Sequence, residues 1–409
     1  MAGFGDGSAA PERLHALDAV RGFALLLGIV FHATLSFLPT PSRVWIIQDS
    51  HPSVTLAVLF FVIHVFRMTT FFLIAGFFAH LNFHRRGVRV FINDRLQRIA
   101  LPLVVGWPIV FAATFAVVFW AAHFPNGGPV PGAAGWPPML PGFPLTHLWF
   151  LYVLLELYAA TLVLRSGIAW LDKSGRIRAG VDRLIGLVMR SPLAPAILAI
   201  PIGIALNLDP AWSGLQGVPT PDQSLITNPQ AIVGYGTAFG FGWLLHRQID
   251  LIRLLEQRWL RNLVLAVGLT VASFVLANAP QQPRPDAIRL AEAASYAMAT
   301  WTTTFAVIGV ALRFLSGFSA TRRYVADASY WLYLIHLPIV MALQVAVFSY
   351  DWPSLAKFAT ILLVAVPTML VSYQLFVRYS IIGAVLNGRR VQKPSEAAEG
   401  EPSPGKRSG

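Results

Sequence analysis

Ten stretches of near-continuous apolar sequence, each bounded by Pro, Gly or charge, fall at about 14–38, 54–80, 98–123, 147–164, 192–208, 229–247, 259–278, 290–313, 326–349 and 355–379. They constrain the fold more than any other feature. In hydrocarbon a backbone N–H or C=O finds no water, so apolar segments of membrane length must close their own hydrogen bonds, which they do as α-helices. The sequence therefore predicts an all-α, polytopic integral membrane bundle of about ten transmembrane helices over residues 14–386. An N-terminal tail, 1–13, and a C-terminal tail, 387–409, flank it. Only 12% of the residues are charged, against about 25% in a soluble domain.

A formal charge of +12 would suggest nucleic acid in a soluble chain, but the placement of the basic residues gives another reason for it. With ten alternating spans, 25 of the 31 Lys and Arg fall on one side and 4 on the other. By the positive-inside rule both termini lie in the cytoplasm, and the partner implied is the bilayer, not nucleic acid. No cysteine is present, which excludes thiol acyl relays and Cys-ligated metals. The N-terminus has no basic region leading into a short apolar core and no cleavage site, so no removable signal peptide is expected. The C-terminal tail, rich in Pro, Gly and charge, is expected to be disordered.

Ionisable residues inside the runs stand out, because their burial is costly and by default marks function. In the first run Arg21 and His32 are eleven positions apart, about three turns and 16 Å along one helix face. Asp18 precedes Arg21 by a turn, and Gly28 lies between Arg21 and His32 on the same stripe. The second run carries His64 and Arg67 one turn apart, with Asp18 or Glu156 as possible ion-pair partners of Arg67 and ligand binding as the alternative. After it come Arg85, Arg86, Arg89, Arg95 and Arg98. Arg95 and Arg98, again one turn apart, suit bidentate phosphate recognition such as the polyphosphate end of coenzyme A, although topology alone would also place arginines there.

The fourth run begins with His147 and carries Glu156; the ninth puts Ser329, Tyr333 and His336 on one face. Gly236 and Gly240 form a G-x-x-x-G suited to close helix packing. No H-x-x-H or H-E-x-x-H spacing occurs, so no metal is expected. Two long Pro- and Gly-rich connections at 124–146 and 209–228 are expected on the outer face, with Trp136 and Trp212 in them and Trp352 in a later outer loop. Such tryptophans suit stacking on sugar rings, and equally an interfacial belt.

Several of these segments together resemble the acyltransferase type 3 family of membrane enzymes. They are LDAVRG with Arg21 and His32, RLQRIALP with Arg95 and Arg98, HLWFL at 147–151, and SYWLYLIHLPI at 329–339. The resemblance spans about residues 14–379. It implies His32 as catalytic histidine with Arg21 and Asp18 beside it, and Arg95 and Arg98 holding an acyl-CoA donor. His64, Arg67, Tyr333, His336 and Trp136 are candidate substrate-binding residues, Arg67 for the free carboxylate of a succinyl group. Where family members that O-acetylate glycans have paired acidic residues, this chain has Leu154-Leu155-Glu156. The implied enzyme has no permanently bound cofactor. It takes succinyl or acetyl from succinyl-CoA or acetyl-CoA to a hydroxyl of a periplasmic glucan or other extracytoplasmic glycan, in the bacterial inner membrane. His32 would be a general base or accept the acyl group itself. The competing function is a proton-coupled secondary transporter of an organic anion, against which no repeat relates the two halves.

Overall fold

A computed structural model describes residues 9–39, 45–124, 142–279 and 285–388 of the chain. Most of the outer connection 124–146, with Trp136, and the C-terminal tail from residue 389 lie outside the described residues. Among those described the chain is helical, with no β-strand. In order the helices are α1 (Ala9–Thr34), α2 (Val54–Arg95), α3 (Leu101–Ala121), α4 (Trp149–Leu171), α5 (Arg176–Arg190), α6 (Ala194–Asn207) and α7 (Pro229–Arg247). Then follow α8 (Ile252–Gln257), α9 (Trp259–Ala277), α10 (Asp286–Phe314), α11 (Ala320–Phe348), α12 (Ser354–Ser372) and α13 (Ile381–Asn387).

Each expected run coincides with a helix, the runs falling on α1–α4, α6, α7 and α9–α12. Among the described residues, seven helical stretches can cross a bilayer by length and apolarity alone, or eight if α5 and α6, bent by 110°, count as one. One of the seven, Val54–Ala121, holds two expected runs. It breaks at Gly87, whose φ of 75° and ψ of 171° leave helical space, and a π-helical turn at Leu96–Ala100 joins α2 to α3. The run under α7 is diluted by glycine and tyrosine, and α6 has only 14 residues, about 21 Å of rise against a hydrocarbon core of about 30 Å.

The centre of the bundle is α1, packed against α11, α2 and α10; α2 in turn packs along α7. Small residues set the α2–α7 crossing, but not those of the G-x-x-x-G. A Cβ on Gly76 would overlap the carbonyl of Phe239, and one on Gly242 the carbonyl of Leu73. Gly240 faces open space and Gly236 meets only a Leu157 methyl at 3.6 Å. The crossing thus runs between Gly76 and Gly242, because both helices need backbone-to-backbone contact at that level.

Two connections hold more structure than their composition suggested. The basic segment after α4 forms α5, and the outer connection 209–228 folds a 3-10 turn, Gly214–Gln216, inward. Lys357, one of the 4 cations on the sparsely charged side, is fully buried, its Nζ 2.6 Å from Asp49 Oδ2 and 3.3 Å from the Phe348 carbonyl. That pair fastens the segment after α1 to the α11–α12 hairpin.

The α2–α7 crossing makes a specific prediction. Gly76→Ala or Gly242→Ala should force the helices apart at a cost of about 1–3 kcal/mol, seen as a lowered thermal midpoint of the purified protein in detergent. Gly240→Ala should leave that midpoint unchanged.

Candidate active site

The polar stripe of α1 lies along a train of cavities through the bundle. At the arginine-rich end, Asp18 and Arg21 pair at 2.8 Å and line an inner cavity of about 490 Å³. Four guanidinium groups border it, those of Arg21, Arg95, Arg98 and Arg323, against two carboxylates, Asp18 and Asp327. Arg98 and Arg95 both reach Asp94, at 2.9 and 3.4 Å. Arg95 is sandwiched between the rings of Phe91 and Tyr158, each 4.9 Å from its central carbon. Of the two, Arg98 lies closer to the ion-paired geometry of a surface clamp, while Arg95 is held by aromatic faces.

A middle cavity of about 30 Å³ follows, sharing Leu25, Phe71 and Phe150 with the inner one. It shares His32, Arg67, Met68, His147 and Trp149 with an outer cavity of about 250 Å³. Arg21 and His32 thus open into opposite ends of one path, as their spacing on α1 predicts.

Where the middle and outer cavities meet, three imidazoles converge. The rings of His32 and His336 are 5.1 Å apart and those of His336 and His147 are 4.8 Å apart. Backbone carbonyls choose the tautomers of two of them. Pro338 lacks the N–H that would bond the Leu334 carbonyl one turn back, and His147 Nε2 donates there at 3.2 Å and to the Tyr333 carbonyl at 3.1 Å. His336 Nδ1 donates to the same Tyr333 carbonyl at 2.6 Å. A carbonyl only accepts, so His147 keeps a lone pair on Nδ1 and His336 on Nε2. Both atoms are buried without a protein partner, as is Nδ1 of His32. Tyr333 completes the clasp by donating from its hydroxyl to the His147 carbonyl at 2.7 Å.

Arg67 enters this group from α2. Gly28 makes room for it, since a Cβ there would stand 2.6 Å from Arg67 Nη1. The guanidinium lies 4.8 Å from the Phe31 ring centre, and its Nε is buried without a partner. Neither expected acidic partner reaches it. Asp18 is held by Arg21 at the inner end, and Glu156 accepts the Thr227 hydroxyl at 2.6 Å. Among the described residues no carboxylate forms an ion pair with Arg67. Among these residues no three His, Asp or Glu are placed to share a metal ion.

The outer cavity is roofed by the connection 209–228. Gly217, at φ 66°, presses its Cα against the His64 imidazole, where any Cβ would collide. Asp222 borders the cavity, and burial pushes its carboxyl pKa above the usual carboxylate range. Its carbonyl accepts from Thr146 N–H at 2.9 Å, which holds Thr146 at φ 51°. A β-branched residue there costs about 1–3 kcal/mol, and the strained turn delivers His147. Trp212, expected as a sugar platform, is instead buried, donating its indole N–H to the Gly217 carbonyl at 2.7 Å.

Two site residues were not singled out from the sequence. Trp45 lies in the outer cavity, stacked on His32 with ring centres 5.8 Å apart and planes 14° from parallel. Gln344 accepts the Trp45 indole N–H at 3.1 Å and donates to the carbonyls of His32 and Ala33 at 3.0 and 3.2 Å. These carbonyls lie at the end of α1, where it passes directly into a 3-10 turn, Leu35–Phe37; the Thr34 hydroxyl donates to the preceding one, that of Phe31, at 2.7 Å. Gln344 was detectable as the polar residue two turns beyond His336 on the same face of α11. Nothing in the local sequence marks Trp45.

The family described as an acyltransferase domain, acyltransferase 3, matches residues 14–377. The chain belongs to the acyltransferase 3 family. It is a multi-pass membrane acyltransferase. Glucans biosynthesis protein C from Escherichia coli O9:H4 (strain HS) and the protein of that name from E. coli (strain SE11) are each 24% identical over 400 residues, covering 93% of this chain and 96% of theirs. No solved structure matches the chain.

Gln344 fixes both the turn that carries His32 and the ring stacked on it. Gln344→Leu should take the side-chain donor from the two carbonyls, at about 1–3 kcal/mol each, leave the Trp45 indole N–H on Ser36 Oγ at 3.1 Å, and lower kcat for acyl transfer at least about tenfold. Gln344→Glu, which retains an acceptor for Trp45, should fall between that variant and the parent in the same assay.

Proposed function

We propose that the enzyme takes an acyl group from acyl-CoA bound at the arginine-rich, cytoplasmic end and transfers it at His32 to a hydroxyl of an extracytoplasmic glycan. The observation that carries this reading is the cavity train, with guanidinium groups at one mouth and the histidine cluster at the other. Phosphates of the donor suit Arg21, Arg95, Arg98 and Arg323, and an extended pantetheine arm would bring the thioester towards the middle cavity. The acceptor enters the outer cavity beneath Trp45, whose exposed face suits a sugar ring. The name of the E. coli relatives supports a glucan, and positive-inside orientation in a bacterial inner membrane puts that acceptor in the periplasm.

Donor and acceptor approach His32 from opposite sides, so both are present together and a direct transfer suffices. The neutral imidazole takes the proton of the hydroxyl as its oxygen attacks the thioester carbonyl. The tetrahedral intermediate then collapses, the C–S bond breaks, and the leaving thiolate takes the proton from the imidazolium. Arg67 supports succinyl as the group carried. A buried guanidinium with no acidic partner among the described residues is costly unless the substrate supplies an anion, and a succinyl carboxylate does so in this position.

Two experiments test the proposal. In the first, His32→Ala should lower transfer from succinyl-CoA by about 10²–10⁴-fold while the detergent-purified protein keeps its thermal midpoint. Mass spectrometry of periplasmic glucans from cells carrying only this enzyme should show succinyl substituents that vanish with the variant; unmodified glucans with the parent protein would refute the acceptor. In the second, Arg67→Gln should reduce succinyl transfer more than acetyl transfer. Equal losses with the two donors would remove the carboxylate from Arg67.

A further inference from the structure

The helix α5 does not belong to the catalytic path, and nothing in the acyl-transfer reading uses it. Its place and its faces nevertheless define a surface. It connects α4 to α6 at the arginine-rich end, and the 110° bend between α5 and α6 turns it across the end of the bundle. A helix so placed on a membrane protein runs near the plane of the bilayer surface.

Both ends of α5 are tied to the protein. Asp172 accepts the N–H groups of Ile177 and Arg178 at 3.1 and 2.9 Å and so closes the first turn. At the other end Arg258 donates to the carbonyls of Met189, Arg190 and Ser191 at 2.9, 2.8 and 3.0 Å, the donors that a helix C-terminus otherwise lacks. Between them Arg247 grips Asp182 in a two-pronged pair at 2.8 and 2.6 Å. Ile185, Gly186 and Met189 are buried against the bundle.

The outward face carries two rows. Arg176, Arg183 and Arg190, spaced by seven residues, form a line of exposed cations. Beside it Ile177, Leu184 and Leu187 are 48, 58 and 61% exposed. Among the described residues none of the three arginines has an acidic partner, Asp182 being taken by Arg247. Water would leave the apolar row exposed, and hydrocarbon would reject the cations. Only the boundary between headgroups and acyl chains satisfies both rows.

From this we infer that α5 is an interfacial helix that binds anionic phospholipids, its apolar row seated at the acyl boundary and its arginine line on the headgroup phosphates. The charge complementarity selects anionic over zwitterionic lipid, because juxtamembrane cations gain from each negative headgroup within a Debye length. This inference rests on the membrane fold and stands or falls separately from the substrate assignment.

The absence of cysteine from the sequence makes the test direct. Leu187→Cys in the full-length protein, labelled with a polarity-sensitive fluorophore and reconstituted in phosphatidylcholine–phosphatidylglycerol nanodiscs, should be quenched by nitroxide on upper acyl-chain carbons and shielded from aqueous iodide. In parallel, native mass spectrometry of the parent protein should retain phosphatidylglycerol over phosphatidylcholine. The triple variant Arg176→Gln, Arg183→Gln, Arg190→Gln should lose that preference several-fold, and the corresponding triple Lys variant should keep it. A label quenched by iodide and not by lipid nitroxide overturns the placement. Retention of phosphatidylglycerol by the Gln variant, or its displacement by inorganic phosphate, overturns the lipid assignment.

Discussion

A guanidinium without a carboxylate, deep in a helical bundle, is the constraint around which this structure is arranged. Arg67 cannot lose its charge at any physiological pH, so the surrounding residues have to accommodate it. Gly28 on α1 gives up its side-chain volume to the guanidinium. Phe31 offers its ring face, an attraction of about 2 kcal/mol or more for a desolvated cation. Carbonyls on α11 take a ring N–H of His147 and of His336 and turn the opposite nitrogen of each towards the centre, where neither has a protein partner. On the proposed reading, an anionic group of the substrate supplies the charge that Arg67 lacks.

Holding those lone pairs in place falls to interruptions of helix geometry. Pro338 frees a carbonyl on α11 and His147 uses it; where α1 passes into a 3-10 turn, Gln344 donates to two more. Such polar contacts between helices are worth only about 0.6–2 kcal/mol each in a membrane, so they orient side chains more than they stabilise the fold. The stronger fastening is outside the site, in the fully buried pair of Lys357 and Asp49. Removing one member of a buried pair costs about 3–5 kcal/mol. That pair fixes the segment bearing Trp45 and so keeps that indole in register with His32.

Periodicity in the sequence is a statement about one helix at a time, and the parts of the site that follow from one helix were legible. Asp18, Arg21, Gly28 and His32 share a stripe of α1, and Tyr333 and His336 share a face of α11; both faces do line the cavities. Neighbour relations were not legible. Sequence offers Asp18 or Glu156 as possible partners of Arg67, with ligand binding as the alternative, but Asp18 pairs with Arg21 and Glu156 with the Thr227 hydroxyl. The glycines chosen by motif were Gly236 and Gly240, whereas the crossing with α2 is made by Gly242 opposite Gly76. Helix α5 escaped notice because its many arginines lower the hydropathy that marks a span, although its apolar row repeats at helical spacing.

The narrowness of the middle cavity has a consequence for the energy economy of the cell. A path that connects the two faces of a membrane and is lined by histidine and arginine is, chemically, close to a proton channel. At about 30 Å³ the middle segment admits one or two waters, walled by Leu25, Phe71 and Phe150. Such a constriction leaves little room for a continuous file of waters. On the proposed route the acyl chain would fill it during transfer, so that a group could pass from one compartment to the other without opening a path for protons across the membrane.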